Sequence, residues 1–139
     1  MNNKQVMKIV SWNIQSTNSF TGSKFEDHDF TKIFESSPIV CLQEIRQPLK
    51  ISGYRCFNNT RKDKKFGGVC TMIRNELING VQRVSTSISD LVVCKLKHTF
   101  FNVKSDIFIV NAYVKPANTS SKTSDENGFD LLRSIDELP

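Results

Sequence analysis

The sequence contains no long hydrophobic run, since none of its apolar stretches approaches the roughly 18 residues that a transmembrane helix needs. Its first ten residues lack the apolar core and the small-residue cleavage site of a secretory signal peptide. These absences predict an intracellular protein, nuclear or cytoplasmic, with no membrane partner. Glycine and proline are also scarce, at six and four residues, which excludes a collagen-like chain.

Closely spaced cysteine pairs are absent as well. The chain has four cysteines with no CxxC spacing, and three of them lie inside apolar runs: Cys41, Cys70 and Cys94. In a reducing compartment such residues behave as small buried hydrophobic side chains. We therefore expect free thiols rather than disulfides. A zinc site is not expected, because such sites usually need paired ligands at short spacing.

The length and composition of the chain are those of one folded domain. The chain has 139 residues, of which 38% are hydrophobic and ten are Phe, so it can bury a core. This composition excludes a disordered chain. The formal net charge of +5 fits an anionic partner such as nucleic acid, a property shared with many basic proteins that bind none.

Short apolar runs separated by polar turns predict a β-rich α/β domain with helices over the sheet. The run Ile39–Gln43 is continuously apolar before its last residue, as expected for a strand covered on both faces. Further strands are predicted near positions 7, 54, 67, 81 and 91, and the strongest covers 106–114. Apolar residues at helical spacing predict helices over 25–34 and 129–138.

Three motifs place a polar residue at the carboxyl end of an apolar strand. They are Ser-Trp-Asn ending at Asn13, Leu-Gln-Glu ending at Glu44, and Asn-Ala-Tyr ending at Tyr113. Ligand sites in sheet-based domains commonly collect at strand ends. We therefore expect these three residues to meet in one crevice, delivered by strands of a single sheet.

Through these motifs the sequence resembles the endonuclease/exonuclease/phosphatase superfamily, from about Lys8 to its end. The matching segments are IVSWNIQS, IVCLQEIR, FGGVCTMIRNEL and DIFIVNAYVKPANTS. The glycine pair before a strand that ends in Ile-Arg-Asn is similar to the endonuclease domain of LINE-type retrotransposons, as is Tyr-x-x-Pro followed by Asn. The resemblance implies the N-terminal part of a four-layered, DNase I-like α/β sandwich.

The resemblance also implies metal-dependent hydrolysis of DNA phosphodiester bonds by the complete domain. Glu44 would bind Mg²⁺ or Mn²⁺, of which Mg²⁺ is a hard ion that takes oxygen ligands and keeps several waters. Asn13 would support the metal and the phosphate, and Tyr113 would contact the scissile phosphate. Asn118 and Arg46 would contact DNA phosphates.

Neighbouring polar residues carry weaker signals. Gln15 stands where some relatives have an acidic residue, which implies weaker metal affinity in this chain. The basic turn over 61–65 contacts a DNA backbone or is simply a solvated hairpin tip. Lys115 is expected to be a solvated loop residue. No motif surrounds His28 or His98, so both are expected to be exposed histidines without a catalytic role.

Two motifs of the superfamily are missing from the sequence. It contains no Gly-Asp-x-Asn after Pro116 and no Ser-Asp-His. We therefore expect positions 1–139 to form a partial domain with very low turnover, because a general base contributes ~10²–10⁴-fold. A partial sandwich is also expected to leave an apolar sheet face bare and to self-associate through it. That face would be lined by Val69, Ile73, Ile107 and Ile109.

Two alternatives remain open at this point. One is another hydrolase of the superfamily, such as a phosphoinositide phosphatase or a sphingomyelinase-like enzyme. The other is a non-catalytic remnant that binds nucleic acid or a protein. The short Tyr-x-x-Pro loop and the glycine pair favour the DNA endonuclease over the other hydrolases. A reverse-transcriptase reading frame downstream in the encoding locus would separate the endonuclease from both alternatives.

Overall fold

The computed structural model describes residues 6–19, 22–62 and 66–116 together with Asp136. Within these residues the chain is a strand-rich α/β domain, as the sequence predicts. Its two α-helices are α1 (His28–Lys32) and α2 (His98–Phe101). Its strands, in chain order, are β1 (Ile9–Asn13), β2 (Asn18–Ser19), β3 (Gly22–Ser23), β4 (Ile39–Gln43), β5 (Tyr54–Asn59), β6 (Val69–Arg74), β7 (Val81–Val84), β8 (Leu91–Leu96) and β9 (Ile107–Ala112).

The larger sheet has four strands in the order β1-β4-β6-β5. β1 runs parallel to β4 in a register that pairs Asn13 with Gln43, whereas β6 is antiparallel to both β4 and β5. The parallel pair therefore brings the carboxyl ends of two motif-bearing strands to the same edge of the sheet. Strands β2 and β3 form a separate two-residue antiparallel ribbon.

The smaller main sheet is antiparallel, in the order β7-β8-β9. Its register pairs Leu91 with Ala112 at one end and Leu96 with Ile107 at the other. The two main sheets pack face to face around one apolar cluster. This cluster combines Ile39, Val69 and Ile73 of the four-stranded sheet with Val81, Val92, Cys94 and Leu96 of the three-stranded sheet.

The other face of the four-stranded sheet is covered by the segment around α1. The cluster on this side contains Val40, Leu42, Cys70 and Met72 from the sheet, and Ile14, Phe34, Ile45 and Leu49 from the segments that cover it. Alternate residues of β4 therefore point into opposite clusters, as the two-residue period of a strand requires. The prediction that β4 is covered on both faces is confirmed. In this part of the chain no helix has the length and hydropathy of a membrane span.

The helix predicted over 25–34 is divided by Asp27. A 3₁₀ turn covers Lys24–Glu26, Asp27 has extended backbone (φ −83°, ψ 118°), and α1 then begins at His28. The Asp27 carboxylate accepts hydrogen bonds from the backbone N–H groups of Asp29 and Phe30. Such an N-cap stabilises a helix start by about 1 kcal/mol. A new helix therefore begins after Asp27, whereas the spacing of the apolar residues predicts one continuous helix. The helix predicted over 129–138 lies outside the described residues, apart from Asp136.

The prediction of a bare sheet face is wrong for Val69 and Ile73, which are fully buried between the two main sheets. The prediction assumed that no second sheet is present, whereas β7, β8 and β9 cover this face. Ile109 packs against the same cluster, and Ile107 is the exposed member of the predicted set at 40%. The argument for self-association through this face therefore fails.

The cysteines are free thiols, and Cys41, Cys70 and Cys94 are buried. Burial raises the pKa of Cys41 to about 11, against a smaller opposing effect of a hydrogen bond with Thr71. Cys56 on β5 differs, because a hydrogen bond with the Cys70 thiol lowers its pKa to about 7 despite partial burial. A thiolate is the nucleophilic form of cysteine, so we expect Cys56 to react faster than the other three thiols.

We predict that iodoacetamide at neutral pH modifies Cys56 at least about tenfold faster than Cys41, because the thiolate fraction decides the rate. The measurement is peptide mass spectrometry of the native protein over a time course. Cys70→Ala serves as the matched variant, since it removes the hydrogen bond and is expected to slow the labelling of Cys56. Equal labelling of Cys56 and Cys41 in the folded protein would contradict this assignment.

Candidate functional site

A crevice of about 530 Å³ opens between β1 of the four-stranded sheet and β9 of the three-stranded sheet. Each of these strands is an edge strand of its sheet among the residues that the structure describes. Polar side chains line much of the crevice: Ser11, Asn13, Gln43, Asn111 and Tyr113. The crevice therefore lies where the carboxyl ends of the motif-bearing strands meet.

Asn13 and Glu44 are hydrogen-bonded to each other at this edge. The Asn13 Nδ2 group donates to Glu44 Oε1 over 3.0 Å, and Asn13 Oδ1 accepts from the backbone N–H of Gln15 over 3.1 Å. The parallel register places Asn13 beside Gln43, so Glu44 is the next residue along the partner strand. The turn after β1 thus orients the Asn13 amide so that its NH₂ group faces the carboxylate.

The backbone of Glu44 has a left-handed conformation, with φ of 55°, and Arg46 follows with φ of 64°. Such φ values cost a non-glycine residue about 1–2 kcal/mol, so neighbouring contacts must hold them. The N–H of Ile45 donates to the carbonyl of Gly68 over 3.1 Å, and that of Arg46 donates to Gly67 over 3.0 Å. The glycine pair before β6 therefore shapes the loop that presents Glu44.

Tyr113 meets Glu44 from the opposite sheet. Its backbone N–H donates to the carbonyl of Asp90 over 3.0 Å, and its side chain lies near enough to that of Glu44 for an electrostatic interaction. Burial, followed by the negative charge of Glu44 and the interaction with its side chain, raises the pKa of Tyr113 above its ordinary value, while Arg61 has a smaller opposing effect. Tyr113 is therefore neutral at physiological pH and remains a hydrogen-bond donor.

The structure thus brings together Asn13, Glu44 and Tyr113, which the sequence analysis placed in one crevice. It corrects the expectation that they come from a single sheet. Asn13 and Glu44 come from the ends of β1 and β4, whereas Tyr113 follows β9 of the other main sheet. They converge because the carboxyl ends of β4 and β9 lie on the same side of the packed sheets, where Gln43 bonds Asn111.

Asp90 is a buried residue of this region that no sequence motif indicated. Its carboxylate accepts from the N–H of Gly68 over 2.6 Å and from Arg61 Nε over 2.6 Å, and its side chain is almost fully buried. Arg61 belongs to the basic turn that was predicted to contact DNA or to be solvated. Here its guanidinium is paired with Asp90, so it braces the glycine pair through that carboxylate, while the backbone carbonyl of Asp90 accepts from the N–H of Tyr113.

Arg46 lies two residues beyond Glu44, close to an exposed aromatic ring. Its guanidinium carbon is 5.9 Å from the ring centroid of Phe66, within the range of a cation–π contact. Phe66 is 56% exposed and was not singled out from the sequence. The Arg46 Nε atom is buried without a hydrogen-bond partner among the described residues. Asn118, the other predicted phosphate contact, lies outside them.

The two histidines lie away from the crevice. His28 begins α1 and is exposed, as predicted. His98 is half-exposed, and its Nδ1 lies 2.6 Å from Asp106 Oδ1. This pair lies where β8 ends and β9 begins, whereas Tyr113 follows the other end of β9. Six paired residues at about 3.3 Å each separate the two ends by about 20 Å, so His98 cannot act on a phosphate at Glu44.

Beside the crevice, the carboxylate that would hold a metal ion is that of Glu44. In the described part of the chain, no three His, Cys, Asp or Glu side chains converge as a metal site. Glu44 is a single carboxylate, and Asn13 Oδ1 is engaged by the Gln15 backbone. Mg²⁺ commonly binds through one or two carboxylates and takes its other ligands from waters and phosphates. Glu44 suits such an ion and does not suit zinc, which needs several protein ligands.

No protein-family model matches the chain, and a search of curated proteins finds no significant match. The roles of Asn13, Glu44, Tyr113, Asn118 and Arg46 therefore remain predictions from the sequence resemblance and from the geometry described above.

We predict that Gly67→Ala destabilises the domain more than Gly53→Ala does. Both glycines have positive φ, at 70° and 83°, so the backbone cost is shared. A Cβ on Gly67 would lie 2.7 Å from Asp90 Oδ1, whereas a Cβ on Gly53 meets nothing within 4 Å. Displacing Asp90 from Gly68 breaks a buried hydrogen bond, which adds about 1–3 kcal/mol. Urea unfolding measures both variants, and equal losses would contradict the bracing role of Asp90.

Proposed function

We propose that the crevice is the metal- and phosphate-binding site of a DNA endonuclease of the endonuclease/exonuclease/phosphatase type, resembling the LINE-type branch. The observation that carries this proposal is the convergence of Asn13, Glu44 and Tyr113 on one another from two sheets. A DNase I-like sandwich is part of the same proposal. Two sheets packed face to face, with a helical segment outside one of them, support it.

Each of the three side chains has a separate task in this proposal. Glu44 would hold Mg²⁺ or Mn²⁺, which when bound supplies positive charge to the phosphate and to the leaving oxygen. Asn13 holds the Glu44 carboxylate in place through its NH₂ group. Tyr113, kept neutral by its raised pKa, donates its hydroxyl hydrogen to a phosphate oxygen. Preorganised donors of this kind stabilise the charge that develops on a phosphoryl group.

Turnover needs a base that activates water, and among the described residues no histidine lies near the crevice, while the Asp90 carboxylate of this region is already bonded to Gly68 and Arg61. His98 and Asp106 lie at the far end of β8 and β9. We therefore propose that the protein binds a metal ion and DNA but hydrolyses DNA very slowly. The same observation favours a second candidate function, a nucleic-acid-binding module without catalysis. A phosphoinositide phosphatase or sphingomyelinase-like activity has no observation in its favour.

We predict that Mn²⁺ selectively broadens the NMR resonances of Asn13 and Tyr113, and that Glu44→Gln abolishes this effect. The reason is that the neutral amide removes the carboxylate bonded to Asn13, on which the proposed binding of a hard cation depends. Glu76→Gln is the matched control, since Glu76 is an exposed glutamate after β6. Broadening that persists in Glu44→Gln, or that is absent from the parent protein, would refute the metal site.

Nicking of supercoiled plasmid in Mg²⁺ separates the two candidate functions. Slow nicking that Glu44→Gln abolishes supports the endonuclease. Mn²⁺ and DNA binding with no nicking supports the binding module. Rapid nicking that depends on Glu44 would contradict the expected slow turnover and would show that a base exists elsewhere in the chain.

We predict that Arg46→Gln weakens DNA binding and lowers the slope of log K against log salt concentration by about 0.9, the value expected for one lost phosphate contact. Fluorescence anisotropy with a labelled duplex measures this slope. Arg55→Gln is the matched control, because Arg55 is exposed at the far end of β5, opposite Ile73. Equal slopes for the two variants would place the DNA contact away from Arg46.

A further inference from the structure

The connection between β8 and β9 exposes a group of apolar side chains at the end of the domain that lies away from the crevice. Eight large hydrophobic residues are exposed among those that the structure describes, and three of them lie here: Phe100 at 44%, Val103 at 39% and Ile107 at 40%. Single exposed apolar residues are ordinary, whereas a group of them at one place marks an interaction site.

Hydrogen bonds and ion pairs tie the two ends of this connection together. The Asp106 carboxylate accepts from the backbone N–H of His98 over 2.8 Å, and its oxygens lie 2.6 Å from His98 Nδ1 and 3.0 Å from Lys95 Nζ. The N–H of Val103 donates to the carbonyl of His98 over 3.1 Å, which closes the turn after α2. An ordered loop therefore presents the apolar side chains, so a ligand that binds them need not order it.

The ring of Phe100 lies with one face on the backbone of Gly80. A Cβ added to Gly80 would lie 2.2 Å from Cδ1 of this ring, 2.4 Å from Cγ and 2.8 Å from Cε1. These similar distances place that Cβ over the ring face, because a Cβ beyond the ring edge would be much closer to one atom than to its neighbours. Gly80 is buried and its φ lies outside the left-handed region, so the ring, rather than the backbone, requires glycine here.

Phe101 supports the same ring from its edge. The two ring centroids are 5.0 Å apart at an interplanar angle of 67°, and Phe101 itself packs against the apolar cluster between the main sheets. With one face on Gly80 and one edge on Phe101, the exposed part of Phe100 lies on its remaining side. The ring is thus a fixed aromatic surface with one side open to solvent.

Two lysines of the same connection are available to an anionic ligand. Lys97 and Lys104 are exposed, and neither forms an ion pair among the described residues. The acidic residues of the adjoining segments are already paired, since Asp106 bonds the cations named above and Glu76 lies 3.9 Å from Arg74. The charge around the open side of the ring is therefore positive.

We propose that Phe100 is a stacking platform for the bases of single-stranded nucleic acid and that Lys97 and Lys104 contact its phosphates. Aromatic rings bind unpaired bases of any sequence, and basic side chains follow the backbone. Bases of a duplex are already stacked on one another, so they do not use the platform. This site lies at the opposite end of β9 from Tyr113, about 20 Å away, and does not depend on the proposed function of the crevice.

Other partners of basic apolar surfaces fit this loop less well. α2 has only four residues, so it cannot present the long apolar stripe of a helix that lies in a membrane interface. A stable protein interface buries about 800 Å² on each partner, which is more than three side chains supply. One ring with two lysines suits a nucleotide unit.

The test is the binding of fluorescein-labelled oligo(dT), followed by anisotropy in EDTA so that no metal occupies Glu44. Phe100→Ala is expected to weaken binding about fivefold or more, the loss expected for one base–aromatic stack. Phe100→Leu keeps an apolar side chain on Gly80 without a ring and is expected to weaken binding similarly. Ile33→Ala is the matched control, because Ile33 is an exposed apolar residue after α1. A blunt hairpin duplex is expected to bind Phe100→Ala as tightly as the parent protein.

Two further variants separate stacking from a structural role. Gly80→Ala is expected to push the ring aside and to weaken oligo(dT) binding as Phe100→Leu does; where it does not fold, Phe100→Leu decides. Phe100→Trp is expected to retain binding, and its fluorescence is expected to be quenched by oligo(dT). The parent chain has one tryptophan, Trp12, which stacks on Phe30, so the parent provides the background signal.

The lysines are tested through the salt dependence of binding. The double variant Lys97→Gln/Lys104→Gln is expected to lower the slope of log K against log salt concentration by about 1.4, since each phosphate contact on a single strand contributes about 0.7. An unchanged slope would overturn their role.

The platform is overturned if oligo(dT) does not bind the parent protein, if Phe100→Leu binds it as tightly as the parent does, or if the Phe100→Trp signal is unchanged at saturation. Binding to phosphatidylserine vesicles that Phe100→Ala abolishes, without binding to oligo(dT), would also overturn it and would identify a membrane surface instead. The two proposals fail separately, because Glu44→Gln is expected to leave the Phe100→Trp quenching unchanged and Phe100→Ala is expected to leave the Mn²⁺ effect unchanged.

Discussion

The geometry of this domain depends on one buried amide, that of Asn111, placed between two sheets. Hydrophobic contact supplies most of the attraction between such sheets, but it is proportional to area and indifferent to small sliding movements. A buried amide is different, because its hydrogen bonds have fixed directions and their loss is costly. Asn111 meets Gln43 at one end and the backbone of β6 at the other, so the directional bonds between the sheets lie beside the crevice rather than at the centre of the core.

Sequence patterns predicted the elements whose signal is local. β4 has the predicted bounds because its apolar run is continuous and ends in the polar residue Gln43. The convergence of Asn13 with Glu44 was also predictable, since a shared strand-end motif and a parallel pairing are enough to produce it. The helix over 25–34 was not, because periodicity describes where apolar residues lie and not whether the backbone is continuous between them. One Asp27 side chain, bonded to two N–H groups, decides that question.

Features that depend on contacts between residues far apart in the chain could not be predicted from the sequence. Asp90 stands in an ordinary turn, and its role follows only from where Gly68 and Arg61 lie in space. Nothing in a pattern of strands says which sheet each strand joins, so the origin of Tyr113 in the second sheet was missed. The same gap led to the wrong expectation for Val69 and Ile73, because a strand that is apolar on both faces does not indicate what covers it. Each of these wrong or missing predictions concerns how segments pair with one another. Composition and hydrophobic periodicity describe only single segments.

The position of the Glu44 carboxylate, bonded to Asn13 beside the crevice, has a consequence for how the proposed site would bind a metal ion. In the proposed site Glu44 would give a Mg²⁺ or Mn²⁺ ion one anionic ligand, and the Asn13 oxygen is bonded to the Gln15 backbone, so the other ligands would be water or phosphate. A phosphate that completes the sphere strengthens metal binding, and the metal then strengthens phosphate binding by the same factor. The side chain of Tyr113 lies near enough to Glu44 for an electrostatic interaction and is therefore positioned beside that proposed ligand. In the proposed site the phosphate therefore completes the metal centre as well as binding to it.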